Sequence, residues 1–270
     1  DPEAMTPLQA RRAVSLSFAN RSSFGLRLEV AVTGGAAGSW GRNFLIAGRS
    51  FRLPACGRPP PPPPPPPVLE CQRIAGSSLD EICGHPALPC DGELSTRLQM
   101  ASGTLGANNL GGLGPSAGAA EIRLEGVAQS VDGRSIDLRL TSTGNYTPAT
   151  ANTLRGAYLQ INLRVGSALE LQAAFVYADN GAAAVLDAFE LSLVDFDGGE
   201  MTGGYLEREI MYSRDHASYS ILRESEIAVS QSDDGRSVFE STTVGVGADN
   251  PDDPEAMTPL QARRAVSLSF

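Results

Sequence analysis

Apolar and polar residues alternate over most of this chain. Val14, Leu16 and Phe18 alternate with Ser15 and Ser17, which predicts a strand with one buried face. A second strand is expected over 26–32 and an apolar stretch over 43–47. From residue 121 onward one strand follows another. Ile122 and Leu124 alternate with charges, as do Ile136, Leu138 and Leu140. Ala157, Leu159, Ile161, Leu163 and Val165 line one face of a longer strand, with Gln160, Asn162 and Arg164 opposite. Further strands are expected over 169–177, 185–196, 205–212, 218–222, 226–230 and 237–246, and Asp132-Gly133, Asn180-Gly181 and Asp234-Gly235 supply turns between them. Short strands at near-regular spacing predict an all-β fold, an antiparallel β-sandwich of jelly-roll or Ig-like type.

Two stretches depart from this rhythm. Pro59, Pro60, Pro61, Pro62, Pro63, Pro64, Pro65, Pro66 and Pro67 are consecutive. They lack amide donors and have fixed φ, so they enter neither helix nor sheet and form a polyproline II rod about 28 Å long. Residues 103–118, GTLGANNLGGLGPSAG, read as an ordered loop with several positive-φ positions. Between these stretches, Ser78 and Glu81 have capping-box spacing and predict a short helix over 77–83. The resulting organisation is N-terminal sandwich strands over 1–55, a polyproline and Cys-rich insertion with its Gly-rich loop over 56–118, and the main sandwich over 119–248. A seam with the start of a further repeat follows over 249–270. Two strands before the proline tract are too few to stand alone, so they are expected to join the later strands or to pair with a neighbour.

The seam leads into an exact duplication. DPEAMTPLQARRAVSLSF occupies 1–18 and again 253–270. An identity of this length is no accident. Either it is artificial, or the chain is one 252-residue repeat followed by the opening of the next. Thr6-Pro7-Leu8-Gln9 has the form of a helix start, predicting a helical turn over 7–12 before the strand. In the closing copy the strand carries Val266, Leu268 and Phe270. Such a strand must cover its apolar face and pair its backbone. It either simply begins the next domain, the blander reading, or completes the sheet of the preceding unit as a donated strand. Either way units stack head to tail, a contact that propagates without closing. The seam, Asp249-Asn250-Pro251-Asp252-Asp253-Pro254, is short, acidic and proline-punctuated, and so fairly stiff.

The formal charge of −10 disfavours nucleic acid and anionic membrane surfaces as partners. All 21 basic residues are arginine. The absence of lysine removes the phosphate loop, Schiff-base chemistry and Ser–Lys dyads. No run of 18 apolar residues predicts a membrane span, and no signal peptide is visible. Cys56, Cys71, Cys83 and Cys90 fall close together, which points to two disulfides of undetermined pairing; the spacing around His85 fits no common zinc pattern. Asn20 and Asn145 head N-glycosylation sequons, and with the cysteines they predict an extracellular location.

Catalytic constellations are sparse. His216 reads as a surface-loop histidine, and no G-x-S-x-G or G-x-G-x-x-G motif occurs. The acidic run Val194-Asp195-Phe196-Asp197-Gly198-Gly199-Glu200 suggests a strand that bulges or leaves the core near Asp195. Asp195, Asp197 and Glu200 at a loop mouth could bind Ca²⁺; the plainer reading is a strand end with a solvated acidic turn. A carboxylate pair for glycoside hydrolysis has no further support.

A proline tract at 59–67 joined to a Cys-containing, sequon-bearing β domain resembles the hydroxyproline-rich glycoproteins of green-algal surfaces, the pherophorins and mastigoneme proteins. The arginine-only basic set fits a GC-rich algal genome. The tandem unit, with its Asn108-Asn109-Leu110-Gly111-Gly112-Leu113-Gly114-Pro115 loop and Asp249-Asn250-Pro251 seam, is similar to repeats of linear glycofibrils. The resemblance covers about a quarter of the chain, and the tract is shorter than is usual in pherophorins. It implies hydroxylated, O-glycosylated prolines at 59–67 and covalent glycans, with no cofactor required. The expected function is a structural repeat of an extracellular glycosylated fibre whose partner is itself, and not an enzyme. The alternative is a calcium-dependent lectin-like module on a cell surface.

Overall fold

The computed structural model describes residues 21–33, 38–48, 70–72, 82–84, 98–100, 103–186, 188–201, 205–216, 218–222, 224–245, 250–253 and 257–270. The proline tract, Cys56, Cys90, His85, Asn20 and the opening copy 1–18 lie outside the described residues.

The regular structure of the described chain is nearly all β, in two antiparallel sheets. The strands are β1 (Ser23–Thr33), β2 (Gly41–Ala47), β3 (Glu70–Gln72), β4 (Ile82–Gly84), β5 (Thr104–Asn108), β6 (Glu121–Gln129), β7 (Ser135–Ser142), β8 (Thr153–Arg155) and β9 (Tyr158–Arg164). They continue as β10 (Ala168–Tyr177), β11 (Glu190–Val194), β12 (Gly199–Met201), β13 (Tyr205–Ser213), β14 (Ser218–Leu222), β15 (Ile227–Gln231), β16 (Ser237–Ser241) and β17 (Val266–Ser269). A five-residue helix, α1 (Pro259–Arg263), precedes β17. One sheet runs β15-β16-β13-β1-β10-β7-β6-β5, with β12 also paired to β13. The other runs β3-β4-β14-β17-β11-β2-β9-β8.

Alternation decides which faces meet. In β1, Phe24, Leu26, Leu28 and Val30 are buried while the residues between them are partly exposed. The equivalent faces of β6, β7, β9, β10 and β11 contribute Ile122, Leu138, Ile161, Phe175 and Leu191 to the same core. One continuous hydrophobic cluster therefore fills the space between the sheets, as a sandwich requires. The two strands ahead of the proline tract are interior members of the sandwich: β1 lies between β13 and β10, and β2 between β11 and β9. Gly133, Gly181 and Gly235 take positive φ at the three expected turns.

Several expectations need correction. The closing strand does not begin a separate domain; β17 is an interior strand of this unit's second sheet, paired to β11 and β14. Its polar face is not solvated either, because Ser267 is 1% exposed. The Gly-rich stretch holds a strand, β5, which pairs with β6 across a register shift between Leu105 and Ala107. Only its later part is loop, with positive φ at Gly111, Gly112 and Gly118. The expected helix over 77–83 cannot be continuous, since Ile82–Gly84 is extended; residues 77–81 lie outside the described set. The strand expected over 185–196 is regular only in Glu190–Val194. His216 is not a free surface side chain. It packs edge-on against the rings of Tyr219 and Phe239, and burial depresses its pKa to about 4 against the opposing pull of Asp215.

The register of β3 against β4 sets Cys71 directly opposite Cys83. Facing residues of an antiparallel pair have Cα atoms about 4.5–5.5 Å apart, within the range a disulfide spans. Cleavage after Glu70 and Glu81 and before Leu88 places the four cysteines on separate peptides. Under non-reducing conditions a Cys71–Cys83 linked pair is expected; a link from Cys71 to Cys56 or Cys90 would contradict this register.

Candidate functional site: a strand slot filled by the duplicated segment

The segment that repeats the chain's opening letters occupies the space between β11 and β14. Its geometry follows from its sequence. Thr258 takes an extended conformation and caps α1: its hydroxyl accepts from the Gln261 amide, and the Gln261 side chain accepts from the Thr258 amide. Pro259 supplies the fixed φ of the first helical residue and no orphan donor. The reading of Thr6-Pro7-Leu8-Gln9 as a helix start is thus met in the identical closing letters. The helix ends within two turns because Arg264 leaves helical geometry and the β-favouring Val266 follows.

β17 then pairs on both sides. Val266, Ser267, Leu268 and Ser269 face Leu193, Ser192, Leu191 and Glu190 of β11. On the other edge Ser267, Leu268 and Ser269 face Ser220, Tyr219 and Ser218 of β14. Beyond the strand, Phe270 and Phe189 exchange both backbone bonds, at 2.9 and 3.2 Å.

Both faces of the segment are covered. Inward, Val266 and Leu268 are fully buried, and Phe270 stacks on Phe189 with centroids 4.9 Å apart and planes at 6°. Phe24 from the opposite sheet lies 4.7 Å from the Phe270 ring. Each of these three side chains contributes roughly 1.5–3 kcal/mol by burial. Outward, Ala262 and Ala265 cover Leu45, Ala47, Val194, Tyr158 and Leu222, so α1 roofs the sheet beside β17. On that face the Ser267 and Ser192 hydroxyls are 2.6 Å apart.

Charge fixes the segment in place. Arg264 donates from Nη1 to Asp197 Oδ2 at 3.1 Å and from Nε to Glu226 Oε2 at 2.8 Å. The other Asp197 oxygen pairs with Arg42, which also reaches Glu209 Oε1 at 3.3 Å and Glu207 Oε2 at 3.9 Å. Trp40 Nε1 donates to Glu207. Asp197 is 2% exposed and Glu209 1%. Burial drives the Glu209 carboxyl well above its ordinary pKa despite Arg42, with Asp197 and Asp195 adding to the rise, and its Oε2 has no hydrogen-bond partner. Burial also acts to raise Glu226, but bonds from Thr243 and Arg264 outweigh it and hold Glu226 below its usual range.

The acidic run near Asp195 builds this cluster. β11 ends at Val194, and Asp195 turns the chain with φ of +61°, a left-handed geometry that Asp tolerates better than most residues. The turn aims the Phe196 amide at the Arg264 carbonyl, 2.8 Å away, and passes the chain to β12 in the other sheet. The strand does leave its sheet near Asp195, as expected, but Asp197 is not at an open mouth: it lies buried between two guanidinium groups. Glu200 is exposed on β12. Among the described residues no group of three or more His, Cys, Asp or Glu side chains is placed to hold a metal ion. Gly245 leaves room for the cluster, since a Cβ there would fall 1.6 Å from Asp197 Oδ2.

Other expected site residues lie apart from the slot. Asn145 is exposed in the connection between β7 and β8. The next residue, Tyr146, turns inward and donates to Asn152 Oδ1 at 2.7 Å, which anchors the loop and leaves Asn145 outside. A shallow groove lined in part by Arg27, Glu170, Tyr212, Asp215 and Arg236 spends its charges internally. Arg27 binds Glu170 at 3.0 Å, and both Arg27 and Arg236 lie over the Tyr212 ring. No helix among the described residues is long and apolar enough to cross a membrane. Sequence reasoning read Asp197 as part of a solvated acidic turn, with Ca²⁺ binding as the alternative, and passed over Arg42, Glu209, Glu226 and Arg264; the only signal for Arg264 was its position inside the duplication.

Comparison of the chain with protein-family models, with curated proteins and with solved structures found no match.

Asp197→Asn removes the charge that Arg42 and Arg264 share. Breaking one partner of a buried ion pair costs about 3–5 kcal/mol. A loss of that size is expected in denaturant unfolding, and a loss below about 1 kcal/mol would contradict the assignment of Asp197 as the anchor of the segment.

Proposed function

We propose that the chain is a structural repeat of an extracellular glycosylated fibre, joined head to tail. In this reading the segment that opens each repeat completes the sandwich of the repeat before it. One observation supports the proposal: the copy of the opening letters at 253–270 supplies an interior strand, β17, of a sheet built otherwise from earlier strands of the chain. A head-to-tail join by strand donation uses backbone bonds for strength and alternate side chains for specificity. It is heterologous, so it propagates instead of closing. It also makes the fibre quasi-one-dimensional, each repeat touching its neighbours only.

The rest of the chain suits this role. The short seam keeps contact with the sandwich, with Pro251 buried and Asp252 bound to Arg155 at 2.7 Å, so little slack separates one unit from the next. By its resemblance to hydroxyproline-rich glycoproteins, the tract at 59–67 would be O-glycosylated, with Asn145 a further glycan site. Covalent glycans would keep such a fibre hydrated outside the cell.

The test is the mass of the native polypeptide after chemical deglycosylation, under denaturing and reducing conditions. The expected species is a large multiple of the 28.3 kDa chain. A single species near 28 kDa would contradict a covalent tandem fibre.

A further inference from the structure

The slot lies in line with β1 of the same unit. Arg21 and Leu186 exchange both backbone bonds, at 3.0 and 2.9 Å, just ahead of β1. Phe270 makes the same exchange with Phe189. Position 270 corresponds to position 18 in the opening copy, an offset of 252. In the numbering of the repeat, position 18 therefore faces 189 and position 21 faces 186: three steps along one chain match three along the other. The β11 ladder keeps that relation, with Leu191 opposite Leu268, the equivalent of Leu16, and Leu193 opposite Val266, the equivalent of Val14. Three extended residues span about 10 Å, so Ala19 and Asn20 are enough chain to join an occupant of the slot to Arg21.

We infer that the slot is an exchange site, which the chain's own opening segment 1–18 can fill in continuity with β1 as well as the segment 253–270 fills it from the far end. Because the two segments are identical, Arg12 would meet Asp197 and Glu226 as Arg264 does, and Phe18 would stack on Phe189 as Phe270 does. This is the relation that defines domain swapping: one element, one binding site, and a short hinge that sets whether the element closes its own unit or another. The exchange follows from the register alone. Its consequence for a fibre rests on the head-to-tail reading: a last repeat with no follower closes its own sandwich with its first 18 residues, so the fibre end exposes no unpaired strand edge.

A double-mutant cycle on the intact 270-residue chain tests the inference. Leu268 is fully buried, and an aspartate there excludes the closing segment from the core. Leu16→Asp spoils the opening segment in the same way. Residues that never touch normally contribute additively. Exchange makes these two strongly non-additive, because either intact copy can stand in for the other. The expected result is a shift of a few °C at most for each single variant, and a fall of more than about 10 °C, or loss of the cooperative transition, for Leu16→Asp/Leu268→Asp. If Leu268→Asp alone is as damaging as the double variant, only the closing segment fits and the inference fails. If the double variant melts like the parent, the slot needs neither copy and the inference also fails. A native polypeptide of 28 kDa would remove the fibre reading without changing the cycle, and an additive cycle would remove exchange without touching the fibre reading.

Discussion

A strand inside a sheet answers hydrogen-bonding groups on both of its neighbours, and this sandwich depends on that constraint at β17. Without Val266–Ser269, β11 and β14 would stand about two strand spacings apart, close to 10 Å, with their facing amides and carbonyls unmet. Closing that gap would leave Phe24 and Phe189 without the ring that packs on both of them, Phe270. Among the described residues, the pair β3-β4 and strand β14 join the rest of their sheet only through β17. One short segment thus links a flank of the sheet, a corner of the core and the roof made by α1.

Charge gives the segment its address. A strand reading Val-Ser-Leu-Ser could shift by two residues and keep the same face inward. Arg264 prevents this, because its guanidinium must reach Asp197 and Glu226 at once. The carboxylates around it outnumber the arginines, and the cost of that excess is visible in Glu209, whose acid form burial favours. Such a cluster is a poor source of net stability and a good source of register. The same Asp197 that positions the segment also binds Arg42 of β2, so the slot and the strand beside β11 are set together.

Much of this was legible in the letters, and the unreadable parts have physical causes. Alternation located most strands to within a few residues, since a half-buried strand must alternate. The capping signal in Thr258, Pro259 and Gln261 is local and was read correctly from its twin at Thr6, Pro7 and Gln9. Strand β5 was hidden because Gly103 and Gly106 pack closely against Leu124 and Glu125, contacts that local propensity does not reveal. β17 was readable as a strand but not as an interior one, since its two serines suggested a solvated face. What buries Ser267 is a partner hydroxyl at Ser192 and a helix roof, both supplied by tertiary structure. The acidic run showed the chain leaving its sheet at Asp195, but the metal reading failed to anticipate two arginines arriving from positions 155 residues before Asp197 and 67 after it.

The second copy of the duplicated letters therefore supplies an interior strand of the sandwich. The most direct measurement uses residues 19–252, from which both copies are absent, melted alone and with an equimolar synthetic peptide of sequence 253–270. A chain short of one interior strand should show no cooperative transition by itself, and a single cooperative transition with saturation at one peptide per chain. A cooperative melt at the same temperature with and without peptide would contradict the claim that this segment completes the fold.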